Sequence, residues 1–278
     1  MRASSRTAGR VAMCDRVEGA PEGGLGALAA ELEAIAFENG VDVIGFGDVN
    51  EATPPGFRHL PVGISVGVVH PAMRAAVEEL RLDESGSLPR NARTRGLLEA
   101  RMAQVCANSG TYDHRDVEGQ DLLENTLRRL ARNLRRRGYR YFCCPAEVDP
   151  MESPFTARMI RRFSHKAAAT CAGLGSVGRH GLLNHPQWGP YLSWATILTN
   201  APLPVGEPVT ESDCGDCRAC VEACPSGAIS GRPWRRADGM KPLVDVERCR
   251  RLLDEREQTT GQRICGRCAV TCVLSRLD

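Results

Sequence analysis

The stretch Cys214-Gly-Asp-Cys217-Arg-Ala-Cys220-Val-Glu-Ala-Cys224-Pro225 decides the fold of the C-terminal part of this chain. Three cysteines in C-x2-C-x2-C spacing, a fourth after x3, and then a proline form a spacing that ligates [4Fe–4S] clusters. A second set follows, Cys249, Cys265, Cys268 and Cys272, and it closes again as C-x2-C-x3-C. In such a run three thiolates wrap one corner of a cubane. The fourth lies too far round the turn and serves the other cluster. The expected pairing is Cys214, Cys217, Cys220 and Cys272 on a first cluster, and Cys224, Cys249, Cys265 and Cys268 on a second. Structural zinc is the rival, because C-x2-C pairs also build tetrahedral sites. Zinc ligands usually come in twos, and an unbroken run of four ending in Cys-Pro fits zinc poorly. Clusters of this kind carry single electrons, so electron transfer is the first expectation.

Composition sets the frame around that module. At 278 residues the chain has room for one medium domain and a small one. Its 42% hydrophobic content suits a globular protein, and no stretch of the sequence approaches a membrane span. A net charge of +2 argues neither for nor against a nucleic-acid partner, while 5% aromatic content speaks against a base-stacking surface. The opening MRASSRTAGRVAMCDR lacks an apolar core segment and a twin-Arg pair. That points to a cytoplasmic protein without a membrane partner, whose thiols stay reduced.

Hydrophobic patterning divides the chain into a loose polar tail (1–24), an α/β domain (25–205) and the cysteine module (206–278). Leu25 to Asn39 reads as a helix stopped by Gly40. Strands are expected at Val41–Phe46, Ile64–Val69 and Tyr139–Cys143. Further helices are expected at Met73–Leu82, Gly96–Ala107 and Gly119–Arg137, the last with Leu122, Leu123, Thr126, Leu127, Leu130, Ala131 and Leu134 on one face. Helices alternating with short strands suggest a layered α/β arrangement. The stretch Ala201–Thr210 is a Pro-rich connector. Arg128, Arg129, Arg132, Arg135, Arg136, Arg137 and Arg140 crowd the long helix and its exit. Without interleaved aromatics they read as a solvated face with cations near the helix C-terminal dipole rather than as an RNA or acidic-protein patch.

Gly173-Leu-Gly175-Ser-Val-Gly178 is a literal G-x-G-x-x-G. A dinucleotide site needs a strand before that motif, a helix after it and an acid about twenty residues on. Here FSHKAAATC before it looks helical, and Gly181, Asn184 and Pro186 break any helix after it. The glycines instead let the backbone approach a bulky partner or take up positive φ.

AGLGSVGRHGLLNHPQWGPYLSWATILTNAPL, followed by CGDCRACVEACPSGAI, resembles the epoxyqueuosine reductase family, itself related to cobalamin-dependent reductive dehalogenases. The lone Cys249 ahead of Cys265-x2-Cys268-x3-Cys272 follows the same pattern. The resemblance implies an α+β protein: a nitroreductase-like α/β cobalamin-binding domain followed by a bacterial ferredoxin-like module with two 4Fe-4S clusters. It implies a base-off cobalamin held between the two, with Gly173, Gly175, Gly178 and Arg179 near the corrin and Ser193 and Thr196 as further contacts. It also implies a ferredoxin or flavodoxin as electron donor, and tRNA as a candidate partner. The family carries an Asp a little over a dozen residues before AGLG, thought to be the proton donor. SPFTARMIRRFSHK, residues 153–166, holds no acid, and the chain ends at Asp278 without the family's helical-repeat domain.

His165, Lys166 and Tyr112 are therefore the candidate proton donors. His114 and His180 read as loop residues, and Cys143, Cys144 and Cys171 as core packing. The expectation is a corrinoid and iron–sulfur reductase acting on an unidentified substrate, as a monomer or small homo-oligomer. The alternatives are a tRNA epoxyqueuosine reductase proper, and an electron-transfer protein or reductive activator serving a partner corrinoid protein.

Overall fold

The computed structural model describes residues 25–70, 74, 117–144, 163–239, 241–261, 263 and 265–274. The tail over 1–24, the helix expected at 73–82 apart from residue 74, the helix expected at 96–107, and Tyr112 lie outside the described residues. In chain order the elements are α1 (Leu25–Glu38), β1 (Val43–Asp48), β2 (Val62–Val69), α2 (Val117–Arg136), β3 (Tyr141–Cys144), α3 (His165–Cys171), β4 (Ser176–Val177), β5 (Leu183–Asn184), β6 (Leu192–Thr199), α4 (Ala219–Glu222), α5 (Val246–Thr260) and α6 (Arg267–Leu274). Among the described residues no helix is long and apolar enough to cross a membrane.

Helix α1 forms because Leu28, Leu32 and Ala36 recur every fourth residue and bury one stripe. Leu123, Leu127, Leu130 and Leu134 do the same for α2. Gly138, at φ 79, lets the chain leave α2 while Tyr139 N–H returns to the Leu134 carbonyl at 3.0 Å. A polar latch joins the two helices. Asn133 Nδ2 donates to Glu31 Oε1 at 2.5 Å, and Arg137 pairs with the same carboxylate. These bonds hold the Glu31 carboxyl below its usual range, the Asn133 contact most of all. Arg128 pairs with Glu124 and Arg129 donates to Asn39, so part of the arginine crowd is spent on local contacts.

The central sheet runs β1-β2-β6-β3, and every pair in it is antiparallel. The sequence expectation of a layered α/β arrangement holds as a mixed helix and sheet fold, but with an antiparallel sheet. Residue pairing fixes its two faces. Ile44, Phe46, Ile64, Val66, Ala195 and Ile197 share the face packed on α1 and α2. Burying side chains such as Leu130, Leu134 and Ile197 contributes roughly 1.5–3 kcal/mol each.

The opposite face carries Gly45, Gly47, Ser65, Gly67, Trp194 and Thr196, and α3 packs against it. Its glycines leave room for backbone. A Cβ on Gly47 would meet the Ala172 nitrogen and the Cys171 carbonyl carbon, each at 2.5 Å, so the end of α3 lies directly on β1. Ser164 caps α3, its hydroxyl accepting from the Ala167 N–H at 3.3 Å. Beyond α3 the chain turns into the β4–β5 hairpin, whose tip presents residues 178–182. Gly173-x-Gly175-x-x-Gly178 thus follows a helix and enters a hairpin, which is not the context of a dinucleotide loop.

The connector over 201–210 is stitched down rather than loose. Gly206 N–H donates to the Phe46 carbonyl at 2.8 Å and Val209 N–H to the Thr170 carbonyl at 2.9 Å. Arg236 adds a second fastening, donating to Thr170 Oγ1 at 2.9 Å, the Val209 carbonyl at 3.1 Å and Cys171 Sγ at 3.1 Å. In the cysteine module α4 packs on α6, and Asp245 caps α5 by accepting from the Arg248 N–H at 3.0 Å.

Candidate metal centres and the adjoining cavity

The fold brings cysteines from both ends of the module together. Cys220 rides on α4 and Cys272 on α6, and the packing of those helices brings the first and last parts of the module together. Burial raises the Cys220 thiol, and the nearby Cys214 and Cys217 raise it further. Burial likewise raises Cys249, with Cys265 and Cys224 adding to it, and pushes Cys268 up to about 12 with Cys265 as the next cause. Thiols that raise one another in this way form a site where bound cations relieve the repulsion of several thiolates. Cys224 goes the other way. Burial pushes it up, but the Ser226 hydroxyl and the backbone N–H groups of residues 226, 228 and 229 outweigh that and hold it below the usual thiol range. The donor set therefore fits iron–sulfur clusters.

Cys224, Cys249, Cys265 and Cys268 all line one cavity of about 310 Å³. Among the described residues no three His, Cys, Asp or Glu side chains converge on a single ion. The cavity's other wall comes from the α/β part: Leu182, Pro190, Tyr191, Leu192 and Ser193. Ile229, Val244 and Leu252 make the lining largely apolar, with His70, His180 and Arg263 as its polar margin. Cys217, from the set assigned to the first cluster, is exposed at the molecular surface.

The remaining sequence candidates fall in distinct places. Ser193 lines the cavity. Thr196 is buried in the middle of β6, where its hydroxyl and His165 Nδ1 lie 2.9 Å apart. Phe163 packs edge-on against the His165 ring, with centroids 5.5 Å apart. Lys166 Nζ donates to the Gly181 carbonyl at 2.5 Å, and burial lowers its pKa. Gly173 backs onto the Glu207 carbonyl, Gly175 onto the Asn184 carbonyl, and Gly178 onto the His180 ring and the Asn184 amide. These glycines serve close passage of chain against chain. Arg179 is buried, at 7% exposure, and points into the first cysteine loop.

Sequence reasoning passed over several residues here. His180 reads as a loop residue, yet it is 5% exposed and lines the cavity. Ser176 donates to Asp213 Oδ1 at 2.5 Å, tying β4 to the residue before Cys214. Asn184, at 1% exposure, accepts from Cys272 Sγ at 3.6 Å, and its Nδ2 is without a protein partner. Only the position of Asn184 within the quoted motif hinted at such a role.

Residues 207–230 match the model of the 4Fe-4S binding domain. Epoxyqueuosine reductase of Vibrio cholerae is 29% identical over 283 residues, covering 90% of this chain and 67% of the relative. The chain is similar in sequence to epoxyqueuosine reductases. It spans between 43 and 67% of the length of the first four of these relatives. In fold, the chain is similar to an epoxyqueuosine reductase crystallised with an epoxyqueuosine-modified tRNA-Tyr stem loop: TM-score 0.55, 21% identity, 91% of this chain and 66% of the other. It is also similar to a reductive dehalogenase described with a B12-dependent mechanism: TM-score 0.54, 19% identity, 95% of this chain and 34% of the other.

Proposed function

We propose that this protein is a corrinoid- and iron–sulfur-dependent reductase of the epoxyqueuosine reductase type, acting on a substrate still to be identified. One observation carries the reading. All four cysteines assigned to the second cluster open onto the same apolar cavity that residues 182 and 190–193 close from the α/β side. An electron arriving through the module is thus delivered at a cavity wall rather than at bulk solvent. The lining suits the face of a large macrocycle. Its apolar side chains suit the ring, and Ser193, His70 and Arg263 suit peripheral amides. Cobalamin bound there supplies a strongly reducing metal for one-electron or nucleophilic chemistry.

The chain's own residues provide the rest. Residues 25–205 form the corrinoid-binding part, of nitroreductase-like character, and 206–278 the two-cluster module. The exposed Cys217 marks the end where a ferredoxin or flavodoxin delivers electrons. Leu182, Leu192 and Ile229 give the cavity an apolar surface. His165, whose ring is fixed by the contact between Nδ1 and Thr196 Oγ1, is one proton carrier, and Lys166 is a second whose pKa burial has lowered.

A tRNA substrate is the second reading, favoured by the name shared by the relatives. An electron-transfer protein serving a partner corrinoid protein is the third. Anaerobically reconstituted protein separates them. A tight cobalamin complex with a base-off Co(II) resonance signal is expected. Intact clusters without cobalamin binding would refute the main reading and select the third. Conversion of epoxyqueuosine in tRNA by the loaded protein would select the second.

A further inference from the structure

We infer that Arg179 is the fixed counter-charge of the first cluster, setting the ease with which that cluster accepts an electron. The inference rests on the cluster reading of Cys214, Cys217, Cys220 and Cys272. Arg179 stands at the tip of the β4–β5 hairpin and is 7% exposed. Nε donates to the Cys217 carbonyl at 3.0 Å, Nη2 to the Gly215 carbonyl at 2.6 Å, and Nη1 to the Gly231 carbonyl. Among the described residues its acceptors are these three carbonyls, and none is a carboxylate.

A guanidinium taken out of water is costly unless a negative charge stands near it. Carbonyl dipoles satisfy its donors but do not neutralise it. Asp213, beside the loop, has its Oδ1 turned to the Ser176 hydroxyl at 2.5 Å. Neither Asp213 nor Asp216, the acids of that loop, is among the guanidinium's hydrogen-bond acceptors, which leaves it facing the loop that carries the thiolates. Two of the three carbonyls belong to the loop from Cys214 to Cys217, so the cation is held against the cluster's own backbone.

Reduction places one electron from an external one-electron donor on the cluster, and makes or breaks no bond. It adds one negative charge beside a buried cation, so Arg179 stabilises the reduced form and raises the reduction potential. A mere clamp would act otherwise. It would hold the loop through its planar fork of donors, and lysine could not replace that fork.

The test uses the full chain reconstituted anaerobically, as wild type, Arg179→Gln and Arg179→Lys. Iron and sulfide content and the resonance signals of the wild type test the cluster reading itself. Redox titration followed by those signals tests Arg179. In Arg179→Gln one of the two cluster midpoints should move negative by at least tenfold in the reduction equilibrium, which is 59 mV for one electron, while the other stays as an internal reference. Arg179→Lys should keep both midpoints within threefold of wild type while its unfolding temperature falls. An unmoved Arg179→Gln, or equal shifts in both variants, would overturn the inference. If Arg179→Gln loses its first cluster, Arg179→Lys decides alone: wild-type midpoints support the counter-charge, and a tenfold shift refutes it. A wild type without clusters overturns the cluster reading and the inference together.

Discussion

Replacing Gly47 by alanine tests the way the glycine-rich loop is seated on the sheet. The new methyl carbon would stand 2.5 Å from both the Ala172 nitrogen and the Cys171 carbonyl carbon. That is about 1 Å inside the 3.5–4.0 Å optimum for such contacts. Both neighbours are backbone, so no side chain can swing aside. Overpacking of this kind costs about 1–3 kcal/mol, offset by about 0.5–1 kcal/mol from the better strand propensity of alanine. The midpoints of those ranges leave a net loss of about 1 kcal/mol, which lowers the unfolding temperature of a chain of this size by roughly 2–4 °C. The assay is thermal unfolding under anaerobic conditions, with Gly26→Ala as the companion variant. Gly26 lies in α1 with nothing within 4 Å of an added Cβ, so its substitution should raise stability by up to about 1 kcal/mol. If Gly47→Ala proves as benign as Gly26→Ala, α3 does not lie on β1 in the way described.

Three further outcomes are expected. Truncating Leu130, fully buried between α2 and the sheet, should cost about 2–5 kcal/mol, measured by denaturant titration. A loss below 1 kcal/mol would contradict that packing. Burial lowers the Lys166 pKa below the ordinary 10.5, so the folded chain bears the cost of a buried ammonium below its folded pKa and sheds it as pH rises through that value towards 10.5. Wild-type stability should therefore climb with pH relative to Lys166→Met, and parallel pH profiles would refute the burial. Finally, Cys272 as a cluster ligand has no proton to donate to Asn184 Oδ1, so the amide turns and the otherwise partnerless Nδ2 donates to the sulfur. Asn184→Leu then removes a hydrogen bond to a charged group, about 1.5–3 kcal/mol, and iron should leave for a chelator faster. Wild-type release kinetics would dismiss that bond.

The local elements were readable because their signals are local. The leucine stripe of α2, the stop at Gly40 and the helical run FSHKAAATC are each signals confined to a few residues, and the structure sets those boundaries to within two residues or so. The order of the sheet was not readable. Leu192–Thr199 looks like any short apolar run, and nothing in it says that its partners are Val62–Val69 and Tyr141–Cys144. The metal-centre cysteines declared themselves through spacing alone. The roles of Arg179, Asn184 and Asp213 did not, because each depends on the hairpin meeting a segment some 36 to 88 residues away. A guanidinium aimed at carbonyls leaves no periodic trace in a sequence.

The placement of β6 also governs how the chain comes to be folded in the first place. β2 cannot complete its pairing on that side until residues 192–199 have been synthesised. Until then VGISVGVV, uncharged and rich in β-branched residues, presents an open edge to any neighbouring strand. A nascent or truncated chain ending before Leu192 is accordingly a sticky one, and the natural remedy is a chaperone that covers the edge until its partner strand emerges. Fragments intended for separate production should be cut after Asn200, where the sheet is whole, rather than before Leu192.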